Sequence, residues 1–130
     1  MDSANRLRIK AARQETDACV ATVFGKFEEA AAIHARIARM FWTARMFDSV
    51  ASSIINASEC LMKADMPEDA FDGIRSASIM MINNSQVCPA IKLGGYVRVL
   101  EYKYPNSFKN SSAPFQAFVY DLCKEKHLIE

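Results

Sequence analysis

The side chains best suited to catalysis or metal binding are few in this sequence: two histidines and four cysteines. A catalytic base needs a nucleophile within reach, and a zinc site needs closely spaced Cys and His ligands. The cysteines form no C-x-x-C pair, and H-E-x-x-H, G-x-S-x-G and phosphate-binding glycine patterns are absent from the sequence. We therefore expect no catalytic residue, metal site or cofactor, and a protein that is not an enzyme.

His34 and the pair Gly94-Gly95 have structural interpretations. His34 falls on the apolar line of a predicted helix, which favours a packed, hydrogen-bonded core histidine over a ligand or base. Gly94-Gly95 lies inside another predicted helix, where each glycine costs about 1 kcal/mol relative to alanine. We expect a close approach of a neighbouring helix at this pair rather than a nucleotide-binding loop.

The composition favours one globular domain that spans residues 1–130. The chain is 51% hydrophobic and has a formal net charge of +1, which does not indicate nucleic-acid binding. Basic residues are more frequent before residue 50, and acidic residues between 51 and 86. The scattered cysteines and the lack of a signal peptide at the start predict a cytoplasmic protein with reduced thiols.

A step of twenty residues organises the chain. Ala30, Val50, Ala70 and Ala90 occupy equivalent places, each near the start of a stretch with helical apolar spacing. Twenty residues accommodate one helix of about four turns and a short turn, and two such units make a helical hairpin. The predicted fold is all-α, with about six helices in antiparallel hairpins that stack as a TPR-like α-solenoid.

The predicted repeat region covers about residues 3–104 and contains five helices. The polar, turn-rich segment from Pro105 to Ser112 is predicted to be a loop, and an extra C-terminal helix is expected over about 113–127. The third helix is apolar over a wide arc, which indicates neighbours on two sides. The five expected helices run from Ser3 to about Thr22, Phe27–Thr43, Phe47–Ala64, Pro67 to Asn83, and from near Pro89 to Tyr104.

Several segments resemble the N-terminal portion of the SNAP family, the soluble NSF attachment proteins of membrane fusion. Phe24-Gly25-Lys26-Phe27-Glu28-Glu29-Ala30, followed by Ile33 to Phe41, is similar to the family's loop and its E-E-A-x-x-x-x-A-R-A-A-x-x-F-like helix. Ala44-Arg45-Met46-Phe47 and the seam from Lys63 to Ala70 match the next helix junctions. The resemblance covers roughly residues 3–104.

The resemblance implies an adaptor in vesicle fusion that binds an acidic SNARE four-helix bundle and touches the membrane with a hydrophobic loop. Val23 and Phe24 correspond to the loop tip. The C-terminal segment from Lys124 to Glu130 has no counterpart of the family's acidic, leucine-ended segment, so an NSF-type AAA ATPase is expected to be an indirect partner that is not stimulated. The candidates for basic contacts with the bundle are Arg36, Arg39, Arg45, Lys63 and Arg98.

Other interpretations of the same residues stay open. The basic run at Arg36, Arg39 and Arg45 is equally typical of a solvated helix face. A general TPR-like scaffold for a peptide or helix of an unrelated complex has the same pattern. A self-associating helical protein, such as a homodimer formed through exposed apolar helix faces, is the third alternative.

Overall fold

The computed structural model describes residues 2–130, and over this range the chain forms seven α-helices and no strand. The prediction of an all-α fold is confirmed. The first five helices agree with their predicted bounds to within two residues at each end, which is the usual uncertainty of a helix terminus. The helices are α1 (Ser3–Val23), α2 (Phe27–Thr43), α3 (Phe47–Lys63), α4 (Pro67–Asn83), α5 (Val87–Lys103), α6 (Pro105–Phe108) and α7 (Ser112–Glu125).

The twenty-residue step is present in the backbone itself. Helices α2 to α5 are 17 residues long, and three-residue turns separate α1 to α5. The N–H of the middle turn residue bonds to the carbonyl three residues back, and the next N–H bonds to the carbonyl five residues back. This is a Schellman arrangement, which satisfies the free carbonyls of a helix end. The middle residues have positive φ angles: 74° at Gly25, 58° at Arg45, 58° at Asp65 and 62° at Ser85.

The chain divides into two compact units, and the boundary falls inside α4, between Ala70 and Phe71. In the unit that ends at Ala70, α2 packs against α1 and against α3. Small side chains allow these helices to approach closely, since Ala18, Ala30 and Ala51 are fully buried. On the wide apolar arc of α3 the buried residues are Val50, Ala51, Ala57, Ser58 and Met62.

In the unit that begins at Phe71, α5 packs against α6 and α7. The Phe71 ring lies 6.2 Å from the ring of Phe108 and 5.4 Å from that of Phe115, measured between centroids. The backbone N–H of Ser112 donates a hydrogen bond of 2.8 Å to the Glu101 carboxylate. This bond ties the start of α7 to α5 and holds the pKa of Glu101 below its ordinary value.

One expectation about the second unit is wrong. The predicted loop from Pro105 to Ser112 contains the short helix α6, so the described chain has seven helices rather than about six. Pro105 occupies the first helical turn, where its fixed φ and missing N–H cost nothing. The extra C-terminal helix is present, and its ends at Ser112 and Glu125 lie within two residues of the predicted bounds.

The expected close approach of a neighbouring helix occurs at Gly94, which is buried where α7 packs against α5, but not at Gly95. A Cβ atom on Gly94 would lie 3.9 Å from Phe115 Cε1, which is ordinary van der Waals contact. A Cβ atom on Gly95 would have no neighbour within 4 Å. Packing inside the described chain therefore does not require glycine at position 95.

Candidate functional site

The turn between α1 and α2 presents an apolar tip to solvent. Val23 is 81% exposed and Phe24 is 74% exposed, and Val20, one turn earlier on α1, is 52% exposed. Gly25 follows in the left-handed conformation, so the chain reverses immediately after the phenylalanine. The two loop-tip candidates therefore stand side by side at an exposed corner, which we call the α1–α2 tip (Val20, Val23 and Phe24).

A groove of about 440 Å³ runs from this tip along the α1–α2 surface. Both Phe24 and Arg36 line this groove, so the structure brings a loop candidate and a basic candidate together. Lys26 adds a second base, while Asp17 and Glu29 add two acids. The groove therefore has mixed charge, with two basic and two acidic residues. Arg36 is its basic residue among the predicted partner contacts.

The basic candidates do not form one cluster. Arg36 and Arg39 are both exposed and, three residues apart on α2, they share one helix face. Lys63 lies at the tip end of the unit, with its Nζ 5.9 Å from the Phe27 ring. Arg45 lies in the α2–α3 turn, with its guanidinium carbon 5.4 Å from the Phe47 ring, about 27 Å of helix away from Phe27. Arg98 is exposed on α5, in the other compact unit.

His34 is only half-buried on α2, and the prediction of a hydrogen-bonded core histidine is wrong at its Nδ1 atom. Its Nδ1 atom is buried and has no hydrogen-bond partner among residues 2–130, and the same is true of Gln14 Oε1 on α1. Burial lowers the pKa of His34, and the negative charge of Glu15 opposes that shift in part. The α1–α2 interface therefore contains a neutral histidine whose charged form is disfavoured.

The four cysteines fall into two classes. Cys60 and Cys123 are buried, and burial raises the pKa of each thiol, so both remain protonated near neutral pH. Cys19 and Cys88 are exposed. Within the described part of the chain, no three His, Cys, Asp or Glu side chains are grouped so that they could hold a metal ion.

A second groove lies between α5 and α7, and no sequence pattern indicated it. Its volume is about 320 Å³, and none of its described lining residues carries a charge. Gly95 lines this groove together with Ile91 and Tyr120, which are both more than half exposed. The other lining residues are Gly94, Gln116, Val119, Cys123 and Ile129.

A scan against protein-family models, a search of curated proteins and a search of solved structures each found no match to this chain. Among the helices of residues 2–130, none combines the length and the apolar character needed to cross a bilayer.

Proposed function

We propose that this protein is a non-enzymatic adaptor that holds a helical partner at a membrane surface, as SNAP proteins hold the SNARE bundle. In this proposal the helices form antiparallel hairpins that stack as a TPR-like α-solenoid. The exposed α1–α2 tip carries the proposal, because solvent-exposed Val23 and Phe24 cost free energy unless something covers them. The resemblance of residues 3–104 to SNAP proteins suggests the partner.

The membrane contact would be weak on its own. Full burial of one large apolar side chain contributes about 1.5–3 kcal/mol, so two residues give only a transient attachment. Lys26 and Lys63 lie at the same end of the unit and are exposed, and each base near an anionic bilayer adds about 1 kcal/mol. Stable attachment therefore requires a second contact, with a protein that is itself at the membrane.

Arg36 and Arg39 are the best-supported residues for that second contact. They are exposed together on α2, and Arg36 also lines the groove that begins at Phe24. Exposed arginines on a rigid helix attract an acidic coiled coil, and added salt screens the attraction. In this proposal the protein acts in the cytoplasm, peripheral to the membrane, and does not stimulate the NSF-type ATPase.

The bundle contact is tested by a pull-down with an assembled SNARE four-helix bundle at about 50 mM and about 300 mM salt. We expect the wild-type protein to bind at low salt and to lose most of that binding at high salt. The double variant R36E/R39E should bind at least about tenfold more weakly at low salt, because it replaces attraction with repulsion. The control K109E/K126E makes the same charge change at exposed residues of the other unit and should bind like the wild type.

The other candidate functions predict different results at these two salt concentrations. A general scaffold for an unrelated peptide would not bind the bundle at either salt concentration. On a sizing column, a self-assembling protein would elute as a dimer or larger species at both salt concentrations. Equal binding by R36E/R39E and the wild type would show that this face of α2 is not the contact.

The membrane contact is tested by co-sedimentation with vesicles that contain phosphatidylserine. We expect V23S/F24S to reduce the bound fraction several-fold, because it removes the apolar surface of the tip. Met80 is 48% exposed in the other unit and belongs to neither groove, so M80S is a control that removes an exposed apolar side chain away from the tip. If M80S lowers binding as much as V23S/F24S, the tip is not the membrane contact.

A further inference from the structure

The α5–α7 groove has no occupant within the described chain and lies on the unit that the proposed SNARE and membrane contacts do not use. Gly95 is the most informative residue in it. Glycine is among the weakest helix formers, and no described atom lies within 4 Å of a Cβ placed on Gly95. The open space faces outward, so the residue permits the backbone of something outside this chain to approach α5 closely.

The apolar surface continues beyond the groove along α5. Ile91, Val99 and Tyr102 are 55%, 43% and 87% exposed, and with Gly95 they recur at the spacing of one helix face. From Ile91 to Tyr102 this stripe is about 16 Å long, or three helical turns. A small molecule would fill only the 320 Å³ groove, whereas a helix of three or more turns would cover the groove and the stripe.

The charges next to this surface favour an acidic occupant. Lys124 lies beside the groove on α7, with its Nζ 5.6 Å from the Tyr120 ring, and exposed Arg98 lies beside the stripe on α5. Glu101, the acid nearest Arg98 along α5, is already engaged, since its carboxylate accepts the hydrogen bond from Ser112 N. Acidic side chains that flank an apolar face would therefore meet positive charge on both sides.

We propose that the α5–α7 groove and the adjoining α5 stripe bind the apolar face of an acidic amphipathic helix from a partner protein. The apolar face covers Ile91, Gly95 and Tyr120, and its acidic flanks meet Arg98 and Lys124. This contact goes beyond the proposed SNARE and membrane contacts, because it uses different residues and a different unit of the chain.

The test uses the full-length protein and three labelled peptides of about 18 residues, followed by fluorescence anisotropy. The first peptide is an amphipathic helix with leucines on one face and glutamates on its flanks. The second has the same composition in scrambled order, and the third has lysines in place of the glutamates. We expect the first peptide to bind at least about tenfold more tightly than either of the others.

A matched pair of glycine variants locates the contact. Gly95→Leu places a side chain in the groove, whereas Gly73→Leu makes the same change at an α4 glycine that also has no neighbour within 4 Å. Both changes should preserve helicity by circular dichroism. We expect G95L to weaken binding of the acidic peptide at least about tenfold and G73L to leave it unchanged. If G95L does not fold, I91S is the second groove variant, since Ile91 is 55% exposed and its replacement should cost little stability.

Several outcomes would overturn the proposal. Equal binding by G95L and the wild type, or equal binding of all three peptides, would exclude this groove as a helix site. Capture of the protein by anionic vesicles that depends on Gly95, without peptide binding, would assign the surface to the membrane instead. Concentration-dependent self-association by sedimentation that G95L abolishes would assign it to a second copy of the chain.

Discussion

At the scale of single residues, His34 is the clearest conflict between a side chain and its surroundings. The repeat places His34 in register with Ile54 and Ile74, so an apolar side chain occupies this position in the next two helices. Among residues 2–130, His34 Nδ1 is buried without a hydrogen-bond partner, and so is Gln14 Oε1 on α1. Buried polar atoms without hydrogen bonds destabilise a fold, so the apolar residue of the other repeats should fit here better.

We expect His34→Ile to raise the free energy of unfolding by about 1 kcal/mol at pH 7.5, because it removes a desolvated polar atom and adds apolar contact. The folded-state pKa of His34 lies below its ordinary value of 6.5, so protonation favours the unfolded chain. The wild-type protein should therefore lose stability as the pH falls below about 6.5, and H34I should lose less. Urea unfolding at a series of pH values measures both effects.

The control for this prediction is His127→Asn, which removes the other histidine at an exposed, positive-φ position that asparagine accepts. The free energy of unfolding of H127N should change with pH as that of the wild type does. If H34I and the wild type show the same decline in stability between pH 6.5 and pH 5, the acid sensitivity of the fold arises elsewhere.

At the scale of helices and turns, the twenty-residue step makes the turns directly comparable. The four turns adopt one backbone conformation, yet only the first has glycine at the positive-φ position. Ser85 occupies the same position in the fourth turn, where an L side chain costs roughly 1 kcal/mol or more. We expect Ser85→Gly to stabilise the protein by about 0.5–1 kcal/mol, because Schellman turns favour glycine at this place.

The reverse change, Gly25→Ala, should destabilise the protein by about 1 kcal/mol, and the cause is backbone strain alone, since no described atom lies within 4 Å of the added Cβ. The control is Ser76→Gly at an exposed position in the middle of α4, which should destabilise the protein because glycine weakens helix interiors. Thermal unfolding of the three variants measures the differences. Stabilisation by S76G as well as S85G would show that the φ angle is not the reason.

Elements of this kind were predictable from the sequence because their signals are local. The starts of α2, α3 and α4 at Phe27, Phe47 and Pro67 follow from apolar spacing and turn residues within a few positions. Helix α6 was missed because four residues are too few to show a period, and its polar residues resemble a loop. The α5–α7 groove was missed because Gly94-Gly95 acquires meaning only from α7, which lies about twenty residues further along the chain.

At the scale of the whole molecule, the repeat and the compact units follow different rules. The twenty-residue step continues through α4 without interruption, whereas the boundary between the units falls inside that helix, after Ala70. Periodicity reflects local helix and turn signals, but a compact unit is defined by contacts between distant parts of the chain. Val23 and Phe24 were identified through the resemblance to SNAP proteins. The sequence did not indicate that Arg98 lies in a different unit from Arg36, because that depends on contacts between distant parts of the chain.

This division predicts that the two proposed surfaces act separately. Phe24 belongs to the first unit and lines the groove at the tip, whereas Gly95 belongs to the second unit and lines the α5–α7 groove. We expect F24S to reduce binding to phosphatidylserine vesicles without changing the affinity for the acidic amphipathic peptide. We expect G95L to reduce the affinity for the peptide without changing binding to the vesicles. In the double variant both losses should appear at their single-variant sizes, because changes without shared contacts are usually additive. A loss of peptide affinity in F24S, with its helicity intact, would mean that the tip and the groove are coupled and that the protein binds its two partners as one site.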